Sequence, residues 1–158
     1  MKLNSIKEAV IDVKAGKMVI VIDNEDRENE GDFIIASEKA KVEDINFMIK
    51  EGRGLLCISI NNDTANQLHL TPMVSDNTSS HETNFTVSVD AIKNTSTGIS
   101  AKDRWHTIQT IINEHLNKNG LILLHDYFLD LKPLWKESDI VCTGPFKAVA
   151  KLFQEGLD

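Results

Sequence analysis

Proline is scarce in this chain, with three in 158 residues, and no Pro/Gly-rich linker, low-complexity tract or internal repeat divides it. That leaves no candidate boundary and suggests one domain, long enough to bury a sizeable core. Cysteine is scarcer still. Cys57 and Cys142 lie far apart and form no metal-spaced pair, the usage expected of thiols in a reducing compartment. No apolar run is long enough to span a bilayer, and the opening residues "MKLNSIKEAV" lack the apolar core of a secretory signal. A cytoplasmic protein with no membrane partner is therefore expected. Positive charge is also in deficit, 17 Lys and Arg against 24 Asp and Glu, for a formal net charge of −7. General nucleic-acid binding is excluded, because neutralising phosphates needs clustered basic residues, but a local pocket for one small phosphate is compatible with this balance.

What is present reads as mixed secondary structure. Ile6, Ala9, Val10 and Val13 recur at helical spacing, with Gly16 as a stop. "MVIVI" at 18–22 is a β-branched run expected to form a buried strand. "DFIIAS" resumes the apolar pattern as a second strand. Ile45, Met48 and Ile49 mark another helix, ended by Gly52, and "LLCISI" is a further strand. "NFTVSV" alternates, which predicts a strand with Phe85, Val87 and Val89 on one face. "SAKDRWHTIQTIINEHL" is the longest helical pattern, with Ser100 as its N-cap and Asp103 three residues on. The expected class is α+β, a mixed sheet with flanking helices in a single domain over 1–158.

The residues between the first two strands carry the strongest chemical signal. "DNEDRENEGD", 23–32, packs six carboxylates around one arginine. A charge run of this kind is usually a solvated loop. Three features argue for more here. Strands anchor both ends; Arg27 offers a bidentate partner for carboxylate or phosphate; and Gly31 permits a tight backbone that aims its neighbours together. Asp26, Glu28, Glu30 and Gly31 imitate the start of a calcium-binding EF-hand loop, but Ile34 and Ser37 occupy its ninth and twelfth positions and the preceding element is a strand. Magnesium suits the run better, since one or two carboxylates with substrate oxygens and waters complete its octahedron. The same carboxylates could remove a proton next to a carbonyl.

"DNEDRENEGDFIIASE" resembles the acidic loop of the 3,4-dihydroxy-2-butanone 4-phosphate synthase family of riboflavin biosynthesis. "INFMIKEGRGLLC", "PMVSDNTSSHETNFTVSVDA" and "TSTGISAKDR" resemble that family's later blocks, in its order and spacing, so the family-like part covers residues 1–116. The resemblance implies an α+β fold, a homodimer with active sites near the subunit interface, and conversion of ribulose 5-phosphate to 3,4-dihydroxy-2-butanone 4-phosphate and formate. It implies magnesium as cofactor, with manganese as the alternative ion. Carried over residue by residue, it puts Arg27, Glu28 and Asp32 against substrate, with Glu28 and Asp32 catalytic and Glu28 the first metal ligand. Thr97 and Ser100, just before a helix, are candidate substrate-binding residues, and without a ligand they read as a capped turn. Cys57 reads as a packed core thiol, and His81 as an exposed histidine that the family-like context brings near the site.

Residues 117–158 depart from the family pattern. The family continues with a Pro-Gly-His segment and then Gly-His-Thr-Glu, whose histidine is the second magnesium ligand. Where the latter would fall, this chain reads "GPFK". No motif supports His125 or Lys147 as replacements. The competing expectation is therefore a catalytically impaired relative that binds magnesium or a sugar phosphate, or that partners an intact synthase.

Overall fold

The computed structural model describes residues 4–22, 31–78, 84–115, 123–128 and 141–143. Helix α1, Ile6–Lys14, opens on a capping box: the Ser5 hydroxyl accepts from the Glu8 N–H, and the Glu8 carboxylate accepts from the Ser5 N–H at 2.7 Å. It closes at Gly16, whose φ of 81° is a conformation that only glycine adopts cheaply. The chain then enters β1, Val19–Ile22, and later β2, Gly31–Ala36.

These two strands are antiparallel neighbours, in register from Val19 opposite Ile34 to Ile22 opposite Gly31. Residues 23–30 thus connect two paired strand ends. β2 is central in a five-stranded sheet. The short strand β3, Cys57–Ile58, pairs with β4, Leu123–Phe128, and β4 pairs with β2, both antiparallel. On the other side of β1, β5, Val141–Thr143, runs parallel to it. A sheet with both kinds of pairing and helices on its faces is the mixed α+β class that the sequence indicates.

All six residues of β2 are buried, as expected of a central strand covered on both faces. Alternation divides its side chains. Ile34 and Ala36 join Val19 and Val21 of β1 beneath Ala9 and Val13 of α1. Phe33 and Ile35 face the opposite layer, built from Ala40, Ile45, Met48 and Ile108. Ile35, Ile45 and Met48 are fully buried, worth about 1.5–3 kcal/mol each relative to exposure.

That second layer contains α2, Val42–Phe47, a π-helical turn at Met48–Gly52, and α4, Ala101–His115; a short helix, α3, spans Asn62–Gln67. Trp105 and Gln109, one turn apart on α4, tie it to the turn after β2. Trp105 Nε1 donates to the Ala40 carbonyl at 2.9 Å, and Gln109 Nε2 to the Ser37 carbonyl at 3.0 Å.

The helix marked by Ile45, Met48 and Ile49 ends at Gly52, as expected; its last turn is π-helical, and Arg53 beyond it takes a positive φ of 60°. Two sequence expectations are corrected. "LLCISI" pairs only at Cys57 and Ile58. "NFTVSV" forms a single bridge, Thr86 to Pro72, flanked by the bonds Met73 N–H to Phe85 O and Val87 N–H to Thr71 O. Val87 and Val89 remain 40% and 44% exposed. Alternation predicts which residues share a face, but a strand also needs a partner, and among the described residues this segment finds one at a single position.

Candidate functional site

Asp32 stands second in β2, directly opposite Val21 of β1, with Tyr127 its register partner on β4. It is 7% exposed, and alternation puts it on the face shared by Ile34, Ala36 and Val21. A carboxylate on the central strand of a sheet is an uncommon element of a core, because burial penalises the charged form unless it is compensated. Asp32 lies one residue beyond Gly31, where the acidic run enters the sheet. Arg27, Glu28 and the intervening acids lie outside the described residues, as does His81.

Thr97 and Ser100 belong to a different element, the loop that leads into α4. The Ser100 hydroxyl accepts from the Asp103 N–H at 3.0 Å, and Arg104 N–H bonds the Ser100 carbonyl, so Ser100 is the N-cap, as expected. The Asp103 side chain does something the sequence pattern did not suggest. In a capping box it would turn back to the N-cap backbone. Instead its Oδ2 accepts from the Ser96 hydroxyl at 2.8 Å and from the Gly98 N–H at 3.2 Å.

The remaining bonds of this loop converge on the first turns of α4. The Thr107 hydroxyl donates to the Asp103 carbonyl at 3.1 Å and accepts from the Ala91 N–H at 3.0 Å. Thr95 Oγ1 donates to the Ala91 carbonyl at 2.6 Å. Asp103 is 5% exposed and Thr107 7%. Bonding to the anion, first from the Ser96 hydroxyl, holds the Asp103 carboxyl below its ordinary pKa against the opposing effect of burial. Gly98, at φ 78°, packs its Cα against the Asp90 carboxylate, where a Cβ would collide. Thr97, between Ser96 and Gly98, is exposed.

The predicted site residues therefore fall on two supports. Asp32 is on the face of the sheet covered by α1, whereas Thr97 and Ser100 precede α4, which covers the other face. Cys57 is half-buried on β3, and its backbone is in register with His125 of β4, which is in turn opposite Ile34. Among the described residues, no group of three or more His, Cys, Asp or Glu side chains is arranged to hold a metal ion. Asp103, expected only as a partner of the N-cap, and Thr107, which the sequence pattern did not single out, hold this loop together. The available signal was a loop of small hydroxylated residues followed, within two helical turns, by a carboxylate and a threonine.

The family model for 3,4-dihydroxy-2-butanone 4-phosphate synthase matches residues 7–126. The chain belongs to this family. The match runs past residue 116, where the sequence reading ended the family-like part, and takes in most of β4. That strand pairs with β2 along its whole length, so the family-like part includes it as an integral piece of the sheet.

Among curated relatives, the riboflavin biosynthesis protein RibBA of Chlorobium phaeovibrioides is 55% identical over 114 residues, which is 72% of this chain and 28% of that protein. RibBA of Bacillus mycoides is 56% identical over 108 residues, 68% of this chain and 27% of the relative. The chain thus spans under a third of the length of these relatives. Two solved structures share the fold. One is RibBX, a two-domain 3,4-dihydroxy-2-butanone 4-phosphate synthase from A. baumannii, with TM-score 0.69 and 32% identity over 97% of this chain and 53% of that one. The other is a 3,4-dihydroxy-2-butanone 4-phosphate synthase in complex with two magnesium ions, with TM-score 0.72 and 25% identity over 99% of this chain and 92% of that one.

Proposed function

We propose that this chain is a synthase unit that converts ribulose 5-phosphate to 3,4-dihydroxy-2-butanone 4-phosphate and formate in riboflavin biosynthesis, a magnesium-dependent lyase reaction. The observation that carries this reading is the family match over residues 7–126, which contains all five candidate site residues: Arg27, Glu28, Asp32, Thr97 and Ser100. The donor chemistry fits the ion. The acidic run offers only hard oxygen ligands, the kind magnesium takes, and it enters the sheet beside the buried carboxylate of Asp32. Glu28 would hold the ion, and manganese, which accepts the same ligands, is the alternative. When bound, the ion supplies Lewis-acid stabilisation of negative charge on substrate oxygens.

The protein's own groups have distinct tasks in this reading. Asp32, fixed by the central strand, has the small positional freedom that a proton acceptor next to a ketone requires. Arg27 can grip the phosphate or a hydroxyl pair through its planar guanidinium. Thr97 and Ser100 place hydroxyls at the N-terminus of α4, the end of a helix that favours an anion. A homodimer and a cytoplasmic location belong to the same reading. The exposed apolar side chains Met73, Val74, Val87, Val89, Ile92 and Ile99 support the dimer, since they cluster in sequence on a segment that the sheet does not cover.

The second reading is an impaired relative that binds the sugar phosphate or pairs with an intact synthase. It is favoured by one observation, the end of the family match at residue 126 with 32 residues still to follow, 127–158. Formate release from ribulose 5-phosphate with magnesium present separates the two. Turnover within tenfold of an intact family member supports the synthase. Binding of the sugar phosphate without formate release supports the impaired relative.

A further inference from the structure

The loop before α4 is held by an unusual economy of bonds. One oxygen, Asp103 Oδ2, accepts from the Ser96 hydroxyl and from the Gly98 N–H, the two residues on either side of Thr97. The same residue's N–H reaches Ser100 Oγ, and its carbonyl accepts from Thr107, which in turn holds Ala91 at the start of the loop. Asp103 thereby contacts both neighbours of Thr97 and the N-cap that follows it. Gly98 has a positive φ of 78°, and a Cβ there would meet the Asp90 carboxylate, so the position suits glycine alone. Thr97 itself is left exposed, on a backbone fixed at the residues before and after it.

We propose that Asp103 is a positioning residue for substrate binding, acting through Thr97 by clamping its two neighbours; the proposal rests on the reading of Thr97 as a ligand for the sugar phosphate. A loop rich in Ser, Thr and Gly has many accessible conformations, and a ligand that had to order it would lose affinity by the fraction of time the competent form is absent. A single buried carboxylate with two donors from the loop removes that loss before the ligand arrives. Carboxylate bonds suit the task, being stronger than those between neutral groups. Asp103 does not touch the ligand in this account.

The experiment is a double-mutant cycle on the full chain, with ribulose 5-phosphate affinity measured by calorimetry in the presence of magnesium. Thr97→Ala and Asp103→Ala should each weaken binding about tenfold, the scale of one lost hydrogen bond. The double variant should be no weaker than either alone, because Asp103 acts through Thr97. Asp103→Asn, which keeps one acceptor oxygen of the same shape, should recover most of the loss. Fully additive losses, or an Asp103→Ala variant that binds like the parent, would overturn the proposal. If the parent chain binds no ribulose 5-phosphate, the proposed function fails, and the role of Thr97 in binding it fails too. Amide hydrogen exchange at Gly98 then reports on the clamp alone. Slow exchange in the parent and in Asp103→Asn, with fast exchange in a folded Asp103→Ala chain, supports it, and equal exchange in parent and Asp103→Ala rules it out.

Discussion

Trp105 and Ala40 stand sixty-five positions apart and share a hydrogen bond of 2.9 Å, from the indole Nε1 to the backbone carbonyl. Ala40 is 5% exposed, so its carbonyl has little access to water. The bond fixes α4 against the turn that follows β2, and through that turn it sets the distance between the helix and the central strand. Trp105→Phe would keep an aromatic ring in the layer while removing the donor and part of the indole's packing against it. The expected cost is about 1–2 kcal/mol of folding stability, since the buried carbonyl is left unpaired. Urea unfolding of the parent and the variant measures it, and an unchanged midpoint would show that the carbonyl has found another donor.

Ser37 presents the opposite case. Its side chain is fully buried, and its Oγ has no hydrogen-bond partner among the described residues, although its carbonyl accepts from Gln109. A hydroxyl taken from water without a partner is a net cost. Ser37→Ala should therefore stabilise the fold by up to about 1 kcal/mol, seen as a higher melting temperature. A clear loss of stability would mean that the hydroxyl has a partner in the folded chain.

The Asp103 carboxyl is held below its ordinary value of 3.8, first by the Ser96 hydroxyl. The sign follows from linkage. A carboxyl whose folded pKa lies below its unfolded pKa binds fewer protons in the native state, so stability rises with pH across that interval. The contribution is complete above the unfolded value and is lost as pH falls through the lowered folded value. Asp103→Asn should remove this acid-side dependence, so parent and variant should converge in stability at low pH and separate towards neutral pH. Chemical denaturation at a series of pH values tests this, and parallel curves for the two would contradict it.

Glu28 should act on metal affinity and not on folding. The acidic run lies between two strands whose buried side chains hold the sheet together without it, and the fold is built on Val19, Val21, Ile34 and Ile35. Glu28→Gln should weaken magnesium binding, by calorimetric titration, with a melting temperature within a degree or two of the parent, the scale of a surface substitution. Unchanged magnesium affinity in a folded variant would remove Glu28 from the proposed metal site.

Much of this protein was legible in its one-dimensional pattern, because the signals concerned are local. The β-branched run at 19–22, the apolar stretch of β2, the cap at Ser100 and the stop at Gly16 each follow from the preferences of a few adjacent residues, and each is where expected. The family-like blocks are equally local, which is why they could be read before any fold was known. Partnership was not legible. Whether "NFTVSV" becomes a strand depends on a neighbour distant in sequence, and its pairing ends after one bridge at Pro72. The central place of β2, between a strand close to it in sequence and one about ninety residues later, is decided by tertiary pairing alone. So is the role of Asp103. From the sequence it is a carboxylate in the first turn of a helix, which would be expected to serve the helix cap. Only the folded loop, bending back so that Ser96 and Gly98 arrive at the same oxygen, turns that carboxylate away from the cap, because two donors held by a closed turn offer it more than one exposed backbone N–H does.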